Sequence, residues 1–366
     1  MEDFILYRGI IFFVSVLCVS VIAAGCAGSV RRDLPVTGPV VGENVAVRSY
    51  PSVSCYKNKE ATVLRKPAEF ETVKAEQVTF DDDSIKVVLY AKKFAQGNAG
   101  YAEVICEKGQ GVELVKLSFN EKDIPFLKTA WGWRGIFAIN PREKTGSLPF
   151  KAVYTASGVE KICEGKIRVS KVDFPVSKYM IDLGKFSDKT HAMKPETVEY
   201  VRECDALREK AFSSVSEDCL TNELCHPRDM HRITGDYWKK RTYAEYRKKG
   251  RKKVKVAGRR SFHRGLDLKG KIGDPVYSMA AGRVVLAHKM FYEWNMVVVD
   301  HGNSVFSYYM HMSRLEVKEG DFVKTGALVG LVGSTGTSTG PHLHVALSIR
   351  GEHVDPLSLL SLPVGK

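Results

Sequence analysis

The sequence predicts a mainly β protein with an N-terminal antiparallel β-sandwich, a helical connector and a C-terminal all-β domain. Short stretches of alternating apolar and polar residues, separated by Gly, Asn and Pro, fill residues 73–172. This pattern is typical of a sandwich. Residues 194–212 instead carry apolar side chains at three- and four-residue spacing, with Pro195 in the first turn, which predicts a helix. From Lys253 onward, short strand-like stretches return, with Gly, Asp and Asn between them.

The chain has 366 residues, which is enough for two or three domains with their own cores. The patterns divide it into five predicted regions. These are a signal segment at 1–25, a tether with lead-in strands at 26–72, the sandwich at 73–172, a helical, basic connector at 173–252 and the C-terminal β domain at 253–362.

The N-terminus carries an uncharged apolar run, Gly9–Gly25, that ends in small residues just before Cys26. Such a run is either an export signal or one membrane-spanning helix. The segment from Ile22 to Cys26 resembles a bacterial lipoprotein cleavage box, in which the cysteine becomes lipidated. Lipidation, a retained anchor and simple secretion all place the body outside the cytoplasm. We therefore expect a cell-envelope protein on the periplasmic side, anchored to the outer membrane through lipidated Cys26.

Downstream of the lipidation site the chain has six cysteines. An even number in an exported chain favours disulfides. The preferred pairing joins Cys106 to Cys163 within the β-sandwich, and two of the three residues Cys204, Cys219 and Cys225 across a helical turn. Buried free thiols are the alternative.

The net charge of +13 is unevenly distributed along the chain. Residues 239–260 contain twelve Lys or Arg residues and one acid, Glu245. A strip of this charge attracts polyanions. Outside the cytoplasm we expect an anionic envelope polymer or phosphorylated lipid headgroups as its partner, and no nucleic acid. The alternative is a solvated surface segment without a partner.

The residues that carry chemistry are concentrated in the C-terminal region. A hydrolytic zinc site needs three protein ligands and one open position for water. His342 and His344 are two residues apart, so on a strand both imidazoles leave the same face. They would be two ligands, or one ligand and a neighbouring base. His263 and Asp267 are four residues apart, and Asp267 would contribute one anionic oxygen.

Several stretches resemble, in sequence and spacing, the lysostaphin-type (LytM-domain) zinc peptidases over about residues 256–360. They are HRGLDL, GDPVYSMAAGRVVLA, VVVDHGNSVFSYYMHM, VKEGDFVKTGALVGLVGSTGTSTGPHLHVAL and VDPLSLL. The resemblance implies a C-terminal peptidase domain of the duplicated hybrid motif type. The sandwich at 73–172 looks like the immunoglobulin-like domain that precedes some exported members of this family.

The same resemblance implies roles for individual residues. One Zn²⁺ per chain would be bound by His263, Asp267 and His344, with His311 and His342 as the catalytic pair. The implied reaction is hydrolysis of peptide cross-links in peptidoglycan by attack of a metal-bound water. His342 would take the proton and His311 would donate to the oxyanion, although these two roles can be exchanged.

Two points stay open at the level of sequence. Relatives of this family also act as non-enzymatic, wall-binding activators of other peptidoglycan hydrolases, which is the alternative function. In addition, the family usually has a Phe-Gly-x-Arg stretch upstream of the first histidine, whereas this chain has AGRRSF before His263. The wall of the groove is therefore not assigned.

Overall fold

The computed structural model describes residues 75–106, 111–188, 192–216, 220, 224–228 and 232–364. All of them belong to one compact unit, Ser49–Lys366. The predicted signal, Cys26 and the tether lie outside the described residues. Among the helices of the described part, none is both long and apolar enough to cross a membrane.

The N-terminal part is an antiparallel β-sandwich. Its strands are β1 Glu76–Asp81, β2 Ile85–Ala91, β3 Ala99–Cys106, β4 Glu113–Phe119, β5 Lys122–Asp123, β6 Phe126–Thr129, β7 Gly132–Ala138, β8 Gly146–Ala156 and β9 Val159–Val169. One sheet has the order β1-β2-β3-β7-β6 and the other β5-β4-β8-β9. On β8, the buried side chains of Phe150, Ala152 and Tyr154 alternate with more exposed ones. The predicted sandwich is confirmed.

The next segment leads from the sandwich to the C-terminal domain. It contains β10 Val176–Ile181, a 3-10 helix Gly184–Ser187, helix α1 Pro195–Phe212, β11 Ile233–Gly235, β12 Lys240–Lys249 and β13 Lys252–Phe262. The helix predicted at residues 194–212 is confirmed, and Pro195 occupies its first turn. Its buried face, with Cys204 and Ala211, packs against the C-terminal sheet.

The basic residues at 239–260 lie mostly on two β-strands, so the prediction that the connector is helical up to residue 252 is wrong. Strands β12 and β13 form an antiparallel hairpin that turns at Gly250, and β10 pairs in parallel with β12. Strand-forming residues lie between the charges here, including Tyr243, Tyr246 and Val254. The predicted boundary at 252/253 therefore falls in the turn of one hairpin.

The C-terminal part is built from short strands, as predicted. They are β14 Leu266–Lys269, β15 Pro275–Tyr277, β16 Gly282–Met290, β17 Trp294–Asp300, β18 Val305–Met312, β19 Arg314–Leu315, β20 Phe322–Val323, β21 Leu328–Leu331, β22 His342–Ile349 and β23 Glu352–Val354, followed by helix α2 Pro356–Leu359. The main sheet has the order β11-β14-β22-β18-β17-β16-β20, and a smaller sheet has the order β15-β21-β19. Side chains such as Leu268, Val297 and Tyr309 fill the core between them.

The sandwich packs directly on the C-terminal domain. Ala99, Tyr101 and Ile136 of the sandwich belong to the same buried cluster as the C-terminal core. The backbone N–H of Ala99 donates to Ser358 Oγ at 2.9 Å. The side chain of Arg350, just after β22, donates to the carbonyl of Ile136. The sandwich therefore supports the end of β22 that is remote from His342.

The cysteines of the sandwich do not form the predicted bridge. Cys106 and Cys163 are free thiols. They lie on β3 and β9, which belong to different sheets. Cys163 points into the core, and burial raises the pKa of its thiol to about 11. Cys204, on the buried face of α1, is also a free thiol, and Cys219 lies outside the described residues.

Candidate metal centre

Neighbouring strands of the main sheet bring the predicted site residues together. Strand β14 pairs with β22 so that Asp267 lies directly opposite His344. His342 leaves the same face of β22 as His344, because the two are separated by one residue. On the other side of β22, strand β18 places Met310 opposite His344, so that His311 follows at the edge of the site.

Three side chains converge on a single point. Nε2 of His263 lies 2.9 Å from Nδ1 of His344 and 3.0 Å from Oδ1 of Asp267. The remaining distance, from Nδ1 of His344 to Oδ1 of Asp267, is 3.0 Å. Ligand atoms arranged tetrahedrally around zinc at 2.0–2.1 Å are about 3.3 Å apart. The donor set therefore fits one zinc ion after shifts of a few tenths of an ångström.

The ring of His263 is oriented by the backbone upstream of it. Its Nδ1 donates to the carbonyl oxygen of Asp236 at 2.9 Å. Because a carbonyl only accepts, the proton lies on Nδ1 and the lone pair of Nε2 faces the site. Two backbone bonds, from His263 N to Lys239 O and from Trp238 N to His263 O, fix the position of the residue.

Asp267 is held by a residue that the sequence analysis did not identify. Nη2 of Arg241 lies 2.6 Å from Oδ2, so Oδ1 is the oxygen that faces the histidines. Burial would raise the pKa of Asp267, but the adjacent imidazoles of His263 and His344 outweigh it and hold that pKa well below its ordinary value. The carboxylate is thus ionised, as a metal ligand must be.

Gly265, in the centre of the His263–Asp267 segment, is required by close packing. A Cβ atom at this position would lie 2.4 Å from the carbonyl oxygen of Val345 and 2.7 Å from Nε2 of His344. Any larger residue would therefore displace the ring of His344. Gly235 has the same role beside Asp267, since its Cβ would lie 2.2 Å from Oδ2.

His311 and His342 lie next to the three converging side chains, with ring centroids 5.1 Å apart. The Gly-rich loop at residues 333–340 orients both rings. Nδ1 of His311 donates to Thr335 O at 2.9 Å, and Nδ1 of His342 donates to Gly340 O at 2.7 Å. Both Nε2 atoms are therefore left without a proton. Nε2 of His342 lies 3.6 Å from Oδ1 of Asp267.

His311 has an unusual backbone and an unusual environment. Its φ of 63° is left-handed, a conformation that is costly for a non-glycine residue and that is concentrated at functional sites. Burial, followed by the nearby His344 and His342, lowers the pKa of His311 to about 3. Burial likewise lowers the pKa of His344 to about 4. Both rings are neutral at pH 7, as a ligand or a proton acceptor must be.

All five predicted site residues lie in this one cluster, and their roles remain predictions. The sequence analysis missed Arg241, Gly235 and the carbonyl of Asp236. These three lie 22 to 28 residues before His263 in the sequence, and the long β12–β13 hairpin returns the chain to them. In the sequence, Gly235-Asp236 and Lys240-Arg241 look like ordinary charged surface residues, so nothing marked them as part of the site.

Two histidines and one carboxylate with an adjacent open position form the donor set of catalytic zinc sites in metallopeptidases. This defines the class of site. Residues 261–356 match the model of Peptidase family M23. The matched segment includes the whole donor set, from His263 to His344. The C-terminal part of the chain therefore contains a domain of peptidase family M23.

Similar proteins are known by sequence and by structure. The chain is 38% identical over 116 residues to the peptidoglycan DD-endopeptidase ShyB of Vibrio cholerae serotype O1, covering 32% of this chain and 27% of ShyB. It is 26% identical over 267 residues to ShyC of the same organism, covering 73% of this chain and 54% of ShyC. The catalytic domain of lysostaphin from Staphylococcus simulans is 34% identical, with a TM-score of 0.27 and coverage of 28% of this chain and 80% of that domain. The chain thus spans about a quarter of the length of ShyB and about half of the length of ShyC.

Proposed function

We propose that the protein is a zinc-dependent endopeptidase that hydrolyses the peptide cross-links of peptidoglycan. The observation that carries this proposal is the convergence of His263, Asp267 and His344 beside two further histidines whose Nε2 atoms are free to accept protons. A structural metal site is closed by four protein ligands. This cluster has three, next to groups that can move a proton.

A zinc ion at this position supplies Lewis-acid chemistry, which polarises a carbonyl oxygen and acidifies water near neutral pH. The protein residues supply the rest. Nε2 of His342 accepts a proton, and the nearby Asp267 carboxylate stabilises the imidazolium that results. Ser338 Oγ, 3.2 Å from Nδ1 of His342, and Gly340 O hold the ring in the orientation that this transfer needs.

His311 is suited to the opposite side of the reaction. Its Nε2 carries no proton while Nδ1 donates to Thr335 O. It can therefore donate to a developing oxyanion only after it has accepted a proton, which in this reaction comes from the attacking water by way of protonated His342, and burial makes the resulting imidazolium a strong acid. This difference supports His342 as the first proton acceptor and His311 as the later donor.

Peptidoglycan as substrate is supported by the names of the similar proteins. ShyA and ShyB of Vibrio cholerae are peptidoglycan DD-endopeptidases, and the chain is 42% and 38% identical to them over 102 and 116 residues. The match to the Peptidase family M23 model covers the candidate metal centre. We therefore extend this substrate class to the present chain as part of the proposal.

The test is hydrolysis of purified sacculi by the zinc-loaded protein, with mass spectrometry of the released fragments. We expect peptide fragments with one newly exposed amine and carboxyl terminus, and none after treatment with a chelator or with His344→Ala. If the protein instead stimulates a partner amidase while it releases no fragments itself, it is a wall-binding activator, and the proposed function is wrong.

We further propose that the protein lies in the cell envelope, on the periplasmic side, with a lipid anchor in the outer membrane. The apolar run that ends at Cys26 supports this location. Cys26→Ser should move the protein from the detergent phase to the aqueous phase in a partition experiment. An unchanged detergent fraction would indicate a retained apolar helix instead of a lipid.

A further inference from the structure

The turn between β16 and β17, residues 291–293, contacts the backbone of His311. The backbone N–H of His311 donates to the carbonyl oxygen of Glu293 at 3.0 Å. The carbonyl oxygen of Tyr292 accepts from the backbone N–H of Thr337 at 2.9 Å and from its hydroxyl at 3.1 Å. Thr337 belongs to the Gly-rich loop, which also accepts the Nδ1 proton of His311. The turn is therefore bonded both to the backbone of His311 and to the loop that orients its ring.

The backbone of His311 lies on a β-bulge. Asn295 pairs with Met312, and Val297 pairs with Tyr309. Two residues of β18 therefore lie opposite one residue of β17. His311 is one of these two, and its φ of 63° is left-handed. Bulges redirect side chains next to active sites, and a left-handed backbone is costly for a residue with a side chain. The hydrogen bond to its N–H therefore stabilises the conformation that directs the ring of His311 into the site.

On its other side, the turn is joined to helix α1 by an ion pair. Nη2 of Arg208 lies 3.0 Å from Oε1 of Glu293, whose side chain is only 16% exposed. Nη1 of Arg208 lies 2.8 Å from Asp205 on the same helix, so the guanidinium is held at two nitrogens. Oε2 of Glu293 is buried and has no hydrogen-bond partner within the part of the chain that the structure describes. The bond from Arg208 therefore fixes the direction of this carboxylate.

A second residue of α1 contacts the same hairpin. The hydroxyl of Tyr200 donates to the carbonyl oxygen of Lys289, near the end of β16. The ring of Tyr200 also lies edge-on to that of Phe291, with centroids 6.2 Å apart. Tyr200 and Arg208 are eight residues apart, so they lie on one face of the helix. A displacement of α1 would therefore displace the turn as well.

Stability alone does not account for a buried carboxylate at this position. Taking an ionised group out of water costs free energy that an ion pair often only just offsets. In Glu293 the cost is increased by Oε2, which is left without a hydrogen bond among the described residues. An apolar contact between α1 and the turn would avoid this cost. A charge-assisted hydrogen bond, however, is directional and fixes the position of both groups.

We propose that Arg208 and Glu293 are positioning residues for His311. The ion pair fixes Glu293, and its carbonyl oxygen then holds the N–H of His311. The ring of His311 is thereby kept beside that of His342, with centroids 5.1 Å apart. This inference rests on the proposed function, in which His311 donates to the oxyanion. Arg208 lies outside the segment 261–356 that matches the family model, so the connector supplies this contact.

The experiment compares Arg208→Met with the matched control Arg202→Met. Arg202 also lies on α1 and pairs with Glu199 of the same helix, but its side chain is 73% exposed. With a soluble cross-linked muropeptide as substrate, Arg208→Met should lower kcat about tenfold, because small displacements of a catalytic group are costly. KM and zinc content should not change. Arg202→Met should match wild type in each measurement.

A second measurement needs no substrate. Hydrogen exchange at the amide of His311 is followed by mass spectrometry with electron-transfer fragmentation. Exchange should be about tenfold faster in Arg208→Met than in wild type, since the bond to Glu293 opens more often. Arg202→Met should exchange at the wild-type rate. This measurement reports the position of the backbone, whereas a lower unfolding temperature alone would report only a structural role.

The double variant Arg208→Met/Glu293→Leu separates positioning from folding. It leaves no unpaired buried charge, so it should be more stable to heat than Arg208→Met. Its kcat and its exchange at His311 should nevertheless remain as impaired as in the single variant. Full recovery of kcat in the double variant would overturn the proposal. Wild-type kcat and wild-type exchange in folded Arg208→Met would overturn it too.

Failure of the proposed function gives a different result. In that case the zinc-loaded wild type cleaves neither sacculi nor the soluble substrate. The exchange rate at His311 then still decides whether Arg208 and Glu293 hold its backbone. Faster exchange in Arg208→Met supports this positioning, and an unchanged rate overturns it.

Discussion

Nη2 of Arg241 lies 2.6 Å from Oδ2 of Asp267, so that the other carboxylate oxygen, Oδ1, faces His263 and His344. Gly235 leaves the space that this ion pair occupies. The pair connects the first strand of the basic hairpin to the centre of the site. It also fixes which oxygen of Asp267 is presented to a metal.

Arg241→Met should weaken zinc binding. Without the guanidinium, Asp267 can rotate, and partners that orient metal ligands typically contribute a factor of 10 to 100 in metal affinity. Loss of one positive charge acts in the opposite direction, so we expect about a tenfold net decrease. Competition with a chromogenic chelator measures it, and Arg283→Met, on the exposed part of β16, is the control. Unchanged or tighter binding by Arg241→Met would show that Arg241 does not position Asp267.

Gly265→Ala should impair metal binding more than it impairs folding. Its Cβ would lie 2.4 Å from a backbone oxygen and 2.7 Å from Nε2 of His344, so the ring must move. Gly282→Ala is a matched control, because its Cβ would also lie 2.4 Å from a backbone oxygen, that of Asp300, away from the site. Both variants should unfold at lower temperature. Zinc content per folded molecule should fall in Gly265→Ala alone, and an equal fall in both would rule out the specific role of Gly265.

The ligands and the proton acceptor should respond differently to substitution. Asp267→Ala and His344→Ala should lose both zinc and hydrolysis, because each removes one of three donors. His342→Ala should retain zinc but lose turnover by a factor of about 10² to 10⁴. Elemental analysis and fragment release on the same preparations distinguish these outcomes. Full activity in His342→Ala would contradict its assignment as the base.

A buried histidine of the C-terminal domain, His301, is expected to make stability depend on pH. Nδ1 of His301 donates to Ala281 O at 2.7 Å, and its Nε2 lies 2.8 Å from Ser307 Oγ. Ser307 Oγ in turn lies 2.8 Å from the hydroxyl of Tyr309. Burial lowers the pKa of His301 to about 4. The ring is therefore neutral in the folded protein, and its chain of hydrogen bonds depends on that form.

The sign of the effect follows from proton binding. Between pH 6.5 and about 4 the unfolded chain binds a proton at His301 that the folded protein does not, so acid favours unfolding. The contribution of His301 to the free energy of unfolding is complete above pH 6.5. It is lost as the pH falls towards about 4, by about 3 kcal/mol in total. In urea titrations His301→Gln should reduce the slope of stability against pH by about 1 kcal/mol per unit near pH 5. An unchanged slope would show that His301 keeps an ordinary pKa.

The sequence was sufficient for the residues whose spacing is local. The alternation of His342 and His344 placed both on one face of a strand, and the resemblance supplied their partners. The helix at 195–212 was predictable from the spacing of its apolar residues and from Pro195. Both features depend on residues that are close in sequence, and the partners of the two histidines came from the family motif.

Contacts set by long-range register could not be predicted in this way. Arg241 reaches Asp267 only because β12 and β13 pair over ten residues and return the chain to the site. The charges of that segment obscured its strand pattern. The predicted bridge between Cys106 and Cys163 failed for a similar reason, since spacing does not say that the Cys163 side chain is buried in the sandwich core while that of Cys106 faces the carbonyl of Trp131.

The most direct test of the account is a crystal structure of the zinc-loaded protein, with anomalous data at the zinc edge. We expect one anomalous peak within 2.0–2.2 Å of Nε2 of His263, Oδ1 of Asp267 and Nδ1 of His344. The Nε2 atoms of His311 and His342 should lie outside bonding distance of the metal. A zinc-loaded crystal with no peak among these three atoms, or with a fourth protein ligand closing the site, would contradict it.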